Sequence, residues 1–244
     1  MRVASIAAIF VAAAAQFCGV CPVAADMLED APEEPTFLYF SGVDLWREGG
    51  FLHGGVLWSP DGLDQDGFTL KFIFGSGAYR YLSGALGDAE VVGHQLSGSA
   101  MPGWRFKRPG FEMTVFAGLD AQDHRLSPDD PSSDLRGSHV GLRSGFDLWY
   151  EPNRTTMLAA DASVSTIGTS YNAHAAYGWR LFNRVYVGPE VAAFASDDYR
   201  QYRFGLHATA FKTGTIELSA GAGYARDSSH RSGAYGRLSL VTRR

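Results

Sequence analysis

A histidine two residues from a serine shares a strand face with it, the pairing that outer-membrane lipid hydrolases use for nucleophilic attack. His230-Arg231-Ser232 has that spacing. It sits where a turn meets a strand, and no acidic residue follows to orient the imidazole, so no catalytic residue is expected. Asp123, Asp129, Asp130 and Asp134 gather carboxylates that could collect a hard cation such as Ca²⁺. They lack the glycine-centred spacing of a calcium loop, and a hydrated loop is expected, with no metal. The remaining histidines (His53, His94, His124, His139, His174 and His207) are scattered, without the i,i+2 or i,i+4 pairs that suggest zinc. Gly75-Ser76-Gly77 and Gly221-Ala222-Gly223 are not followed by helices, so they are not phosphate loops, and no cofactor is expected.

The compartment follows from the N-terminus. Met1-Arg2 is a short positive start, Val3 to Phe17 is uncharged and apolar, and Val23-Ala24-Ala25 supplies small residues. Residues 1–25 are expected to be a signal peptide cleaved near Ala25, since the run is shorter than the ~20 residues of a membrane-spanning helix. Cys18 and Cys21 lie in that leader, which leaves neither disulfides nor thiolate ligands. Loss of Arg2 takes the formal net charge from −5 to −6, so no basic face for nucleic acid is expected. Residues 26–35 are acidic, contain Pro32 and Pro35, and are expected to form a flexible tail.

The elements that must position everything else are strands. From Thr36 onward, segments of about ten residues alternate apolar with small or polar side chains. Phe111, Met113, Val115, Ala117 and Leu119 oppose Glu112, Thr114, Gly118, Asp120 and Gln122; Ile216, Leu218, Ala220, Ala222 and Tyr224 oppose Glu217, Ser219, Gly221 and Gly223. Twelve such segments fall near 36–47, 51–58, 67–80, 89–106, 111–122, 138–150, 155–166, 171–182, 185–196, 199–211, 214–226 and 232–242. The 29 glycines, nearly twice the usual ~7%, suit closely packed strands.

A soluble sandwich or a lipocalin-like barrel would bury its apolar face and expose the polar one. Here the polar phase carries Asp44, Lys71, Glu112, Asp120, Arg143, Asp147, Asp161, Arg180, Glu190, Arg203 and Glu217 among Gly, Ser and Thr. The opposite phase is nearly free of charge, as lipid contact demands. The expected fold is all-β: a closed antiparallel transmembrane β-barrel of about 12 strands over residues 36–244. With the N-terminus in the periplasm, the even connections are short, apart from Ser59–Asp66, and the long one, Asp123 to Gly137, faces outside. Trp58, Trp104, Trp149 and Trp179 end even strands as an aromatic girdle would, although alternation turns Trp149 inward and offers Tyr150 instead.

The stretches FSGVDLWREGGFLHGGVLWSPDGLDQDGFTLKF, GSGAYRY, SGALGD, PGWRFKR, VFAGLD, HRLSPDDPSSDLRG, GLRSGFDLWYEP, LAADASVSTIGTSY and AAYGWRLF resemble the cellulose biosynthesis protein BcsS family of alphaproteobacteria. The likeness runs from about Phe37 to the C-terminus. It implies a non-enzymatic outer-membrane protein that supports secretion or surface attachment of cellulose, with outer-membrane lipid, the glucan and other export components as partners. A glucan path needs aromatic faces for sugar rings. Tyr79, Phe116, Trp149, Tyr186 and Phe194 fall in the inward phase and are the candidate lumen aromatics, against the plainer reading that they fill the lumen. The other functional readings are a lipid hydrolase built on His230 and Ser232, and a structural barrel or small-solute porin unrelated to cellulose.

Overall fold

The computed structural model describes residues 34–196 and 199–244. The expected signal peptide, and the expected tail up to residue 33, lie outside the described residues. The chain forms one closed barrel of twelve antiparallel strands, each bonded to its neighbours in sequence. They are β1 (Phe37–Trp46), β2 (Gly49–Trp58), β3 (Gly67–Ser83), β4 (Ala89–Arg108), β5 (Phe111–Ser127), β6 (Gly137–Asn153), β7 (Thr156–Ser165), β8 (Ser170–Leu181), β9 (Val185–Ser196), β10 (Tyr199–Thr213), β11 (Ile216–Asp227) and β12 (Ser232–Arg243). β12 closes on β1 in continuous register, from Leu38 opposite Arg243 to Trp46 opposite Tyr235. Closure leaves no strand edge along the wall, which a barrel needs wherever water cannot satisfy its backbone.

Period-2 alternation sorts side chains as the sequence does. Leu119, Phe74, Leu142, Val191, Phe204 and Leu206 point outward and are largely exposed. Asp120, Lys71, Glu190 and Arg203 point inward and are buried. An exposed belt this apolar is not a water-facing surface; it matches the lipid-contacting band of a membrane barrel. Near the terminal end, where β1 begins and β12 ends, Trp58, Phe68, Trp104, Tyr150 and Trp179 project outward as an aromatic rim. Trp149 turns inward and donates from Nε1 to Glu151 Oε1 at 3.0 Å, so Tyr150 holds the outward place.

The largest departure from the expected segments lies at the opposite end. β3 continues to Ser83, β5 to Ser127 and β6 starts at Gly137, so Asp123, His124 and Arg125 belong to a strand and the connecting loop is only 128–136. β7 pairs with β6 no higher than Arg143, and β2 pairs with β3 no higher than Tyr79. β3 to β6 therefore stand above their neighbours as a four-stranded sleeve. The Ser59–Asp66 turn at the terminal end folds tightly: Leu63 is fully buried, Leu63 N–H donates to Pro35 O at 2.8 Å, and Asp64 pairs with Lys107 at 3.2 Å.

Candidate functional site

Several inward charges meet partners that are remote in sequence. Lys71 pairs with Asp147 at 2.5 Å and lies 4.2 Å above the Phe116 ring centre. Asp120 accepts from Ser99 Oγ (2.7 Å), Ser165 Oγ (2.6 Å), Gln122 Nε2 (2.9 Å) and Arg143 Nη2 (3.0 Å). Arg203 Nη1 grips both oxygens of Asp44 at 2.6–2.7 Å, with its guanidinium 4.6 Å from the Phe194 ring. Glu190 takes Arg237, the Tyr235 hydroxyl (2.8 Å) and His174 Nε2 (3.4 Å), while His174 Nδ1 reaches Asp161 at 3.1 Å. Gly221 makes room for this group: a Cβ there would come within 2.2 Å of Glu190 Oε1. Near the terminal end Glu112 meets Arg105 at 2.5 Å and Lys107 at 2.7 Å. Buried charges persist only when paired and hydrogen-bonded, and the Lys71–Asp147, Asp44–Arg203 and Glu190–Arg237 pairs tie together strands that are not neighbours in the wall.

The five aromatics expected in the lumen are distributed among those clusters. Phe116 is 7% exposed beneath Lys71, and Tyr186 is 3% exposed, with Arg180 at 4.7 Å from its ring centre. Trp149 and Tyr186 meet edge to face at 5.9 Å. Phe194 lies beside Arg203, and Tyr79 stands apart in the sleeve. Among the described residues, Trp149 and Tyr186 are the two of the five whose rings the fold brings together. His230 lies in the turn before β12, in left-handed backbone (φ 60°), and its Nδ1 faces Arg226 Nη2 at 3.4 Å. The aspartates of the 123–134 stretch diverge: Asp123 pairs with Arg125, Asp129 with Arg136, and Asp130 turns inward to Tyr81.

The inner face of the sleeve carries a different chemistry. Tyr79 and Tyr81 are successive inward residues of β3, half-buried, with ring centres 6.2 Å apart and planes within 25°. Gly93 on β4 gives Tyr79 its seat, since a Cβ there would lie 2.3 Å from the ring. The Tyr79 hydroxyl and His124 Nδ1 are 3.0 Å apart, and His124 Nε2 is 3.0 Å from Gln122 Oε1. Gln122 donates its amide to Asp120, a carboxylate that can only accept, so its oxygen faces His124 and receives from both His124 Nε2 and Gln95 Nε2. A neutral His124 thus carries its proton on Nε2 and accepts the Tyr79 hydroxyl at Nδ1. The result is a directed hydrogen-bond chain from the mouth to buried Asp120. Two near-parallel aromatic faces beside amide and imidazole groups fit a polyhydroxylated ring. The sequence reading reached Tyr79 alone. The signal for Tyr81, Gln122 and His124 was present as Tyr79-Arg80-Tyr81 and Gln122-Asp123-His124, each a pair at strand spacing.

Loop 128–136 is pinned over this face by Asp130, which accepts from Ser132 Oγ (2.6 Å), Ser132 N–H (3.1 Å) and the Tyr81 hydroxyl (3.0 Å). These donors hold its carboxyl at about 2, below the ordinary 3.8, with the Ser132 bond contributing most. A depressed carboxylate contributes its stability above the ordinary value and loses it as pH falls through the depressed one. Protection from amide exchange in loop 128–136, relative to the intrinsic rate at each pH, is therefore expected to fall between about pH 4 and pH 2, and Asp130→Asn should show the lower protection already at pH 7. Equal exchange in parent and variant at pH 7 would show that the anchor lies elsewhere.

Comparison with known proteins gives one family. The family model described as "Cellulose biosynthesis protein BcsS" matches residues 38–244. No match to the sequence was found among curated proteins. Among solved structures, the translocator domain of the autotransporter NalP from Neisseria meningitidis aligns with TM-score 0.49 at 11% identity, covering 86% of this chain and 88% of that one. The KdgM porin aligns at 0.44 and 7%, covering 84% and 98%. The transport unit of the autotransporter AIDA-I from Escherichia coli aligns at 0.42 and 8%, covering 90% and 93%.

Proposed function

We infer the role from one premise, that this chain belongs to the cellulose biosynthesis protein BcsS family. It is a non-enzymatic barrel of the outer membrane that holds exported cellulose at the cell surface. The apolar belt and the aromatic rim support the membrane placement, because closed barrels are the all-β solution to spanning a bilayer. The observation that carries the role is the Tyr79–Tyr81 pair in the sleeve, beyond the belt and beside Gln95 and His124. Ion pairs between Lys71 and Asp147 and between Asp44 and Arg203 join strands that are not neighbours in the wall, which favours a pinned core over a route for the polymer. Phe116, Trp149, Tyr186 and Phe194 then serve as packing, and Tyr79 is the member of the five that meets glucan.

An outer-membrane barrel has no access to cytoplasmic sugar nucleotide, so it acts after polymerisation. Deletion is expected to leave cellulose synthase activity in isolated inner membranes unchanged while moving cellulose from the cell surface to the medium. Tyr79→Ala/Tyr81→Ala should do the same at normal barrel levels, and should weaken binding of soluble cello-oligosaccharides roughly tenfold, the scale of two aromatic contacts. Phe116→Leu and Phe194→Leu should retain cellulose normally. Undiminished surface cellulose in the tyrosine variant would reject the sleeve as the contact, and undiminished surface cellulose in the deletion would reject the role.

A further inference from the structure

Just past the apolar belt, away from the sleeve, two exposed arginines break a rule that the other arginines of that end obey. Arg47 pairs with Glu48 (3.0 Å), Arg80 with Glu90 (3.5 Å), Arg125 with Asp123 (3.2 Å) and Arg136 with Asp129 (2.7 Å). Arg200 on β10 and Arg226 on β11 meet no carboxylate among the described residues; the side-chain contact of Arg226 is the His230 imidazole at 3.4 Å. Register makes them neighbours on one outward face, since Arg226 lies opposite Tyr202 and Arg200 is two residues further along the same strand. Directly toward the belt stand two exposed phenols, Tyr202 (58%) and Tyr224 (54%), followed by Phe204 and Leu206. Tyrosines so placed mark headgroup level, with an apolar body in the tails and a polar tip above.

We propose that Arg200 and Arg226 form a docking site for a lipid whose headgroup carries phosphate, with its acyl chains lying along Tyr202, Tyr224 and Phe204. The site rests on the membrane placement above and is independent of the cellulose role. Guanidinium groups offer forked donors that match phosphate oxygens, and two at headgroup level that meet no carboxylate among the described residues present donors that the paired arginines do not. The tyrosine rings bracket the chains beneath, which a free anion would not use.

The test is native mass spectrometry of the full-length barrel in detergent, titrated with bisphosphorylated lipid A and with the same lipid after phosphatase treatment. The parent should prefer the phosphorylated lipid by roughly thirtyfold, on the scale of two basic residues near an anionic surface. Arg200→Gln/Arg226→Gln should erase that preference, while Arg80→Gln/Arg125→Gln should keep it. Gel mobility that shifts on boiling reports whether each variant is folded, and the parent's own preference needs no variant to be measured. Equal binding of the two lipids by the parent would overturn the proposal. So would displacement of the lipid by millimolar inorganic phosphate, which would make this a free-phosphate site, or an equal loss in the Arg80/Arg125 control. Undiminished surface cellulose in Tyr79→Ala/Tyr81→Ala, with lipid preference intact, would reject the sleeve reading alone.

Discussion

Replacing Arg143 with methionine should cost the barrel about 3–5 kcal/mol, the usual consequence of removing one partner from a buried ion pair. Asp120 has no solvent exposure, and Arg143 is its one cationic partner among the described residues; Ser99, Ser165 and Gln122 donate but carry no charge. The variant must keep an uncompensated carboxylate in the wall or protonate it, and either choice lowers stability at neutral pH. Urea unfolding of the barrel refolded into lipid vesicles would measure the loss. Arg143→Met/Asp120→Asn should recover much of it, because the amide needs no counter-charge. A cost below about 1 kcal/mol in the single variant, the range of solvent-exposed pairs, would mean that water reaches Asp120 freely.

An arginine on the outer wall should be nearly as damaging, and its cost should depend on depth. Leu206 is 65% exposed within the belt, between Phe204 and Ala208 on the same strand. Leu206→Arg is expected to cost about 2–4 kcal/mol, as for a cation held near the bilayer midplane. Ile216 begins β11 at the terminal rim, where Ile216→Arg should cost no more than about 1 kcal/mol because the side chain reaches water. Vesicle unfolding of the two variants side by side gives the gradient. Equal costs at both depths would show that the exposed apolar surface is not a lipid belt.

The barrel wall was legible in the sequence because lipid on one side and a polar lumen on the other impose opposite demands at every second residue. That contrast fades where the wall leaves the belt. On the upper parts of β4, β5 and β6, the outward phase holds His94, Asp123, Arg125 and Ser138, so both faces are polar and strand resembles loop. The sleeve is held there by backbone pairing, such as Gln95 opposite His124 and Asp123 opposite Ser138, which no periodicity reveals. Inward charges were recognisable singly but not in pairs: Lys71 and Asp147 are separated by 76 residues, and Asp44 and Arg203 by 159. Tyr79 was found and Tyr81 was not, because the expected strand stopped one residue short of it.

The unequal strand heights have a consequence for how a long polymer is caught. β6 rises beyond its last β7 partner and β3 beyond its last β2 partner, so above the bonds that Glu48 and Arg231 make to Arg80 and Thr166 makes to Leu142 the sleeve is a half-pipe. A complete ring must be threaded by a chain end. A half-pipe accepts a stiff chain broadside, at any point along its contour. Under the proposed role, capture scales with the total length of glucan at the surface and not with the number of its ends, and a fibre already anchored at both extremities remains a ligand.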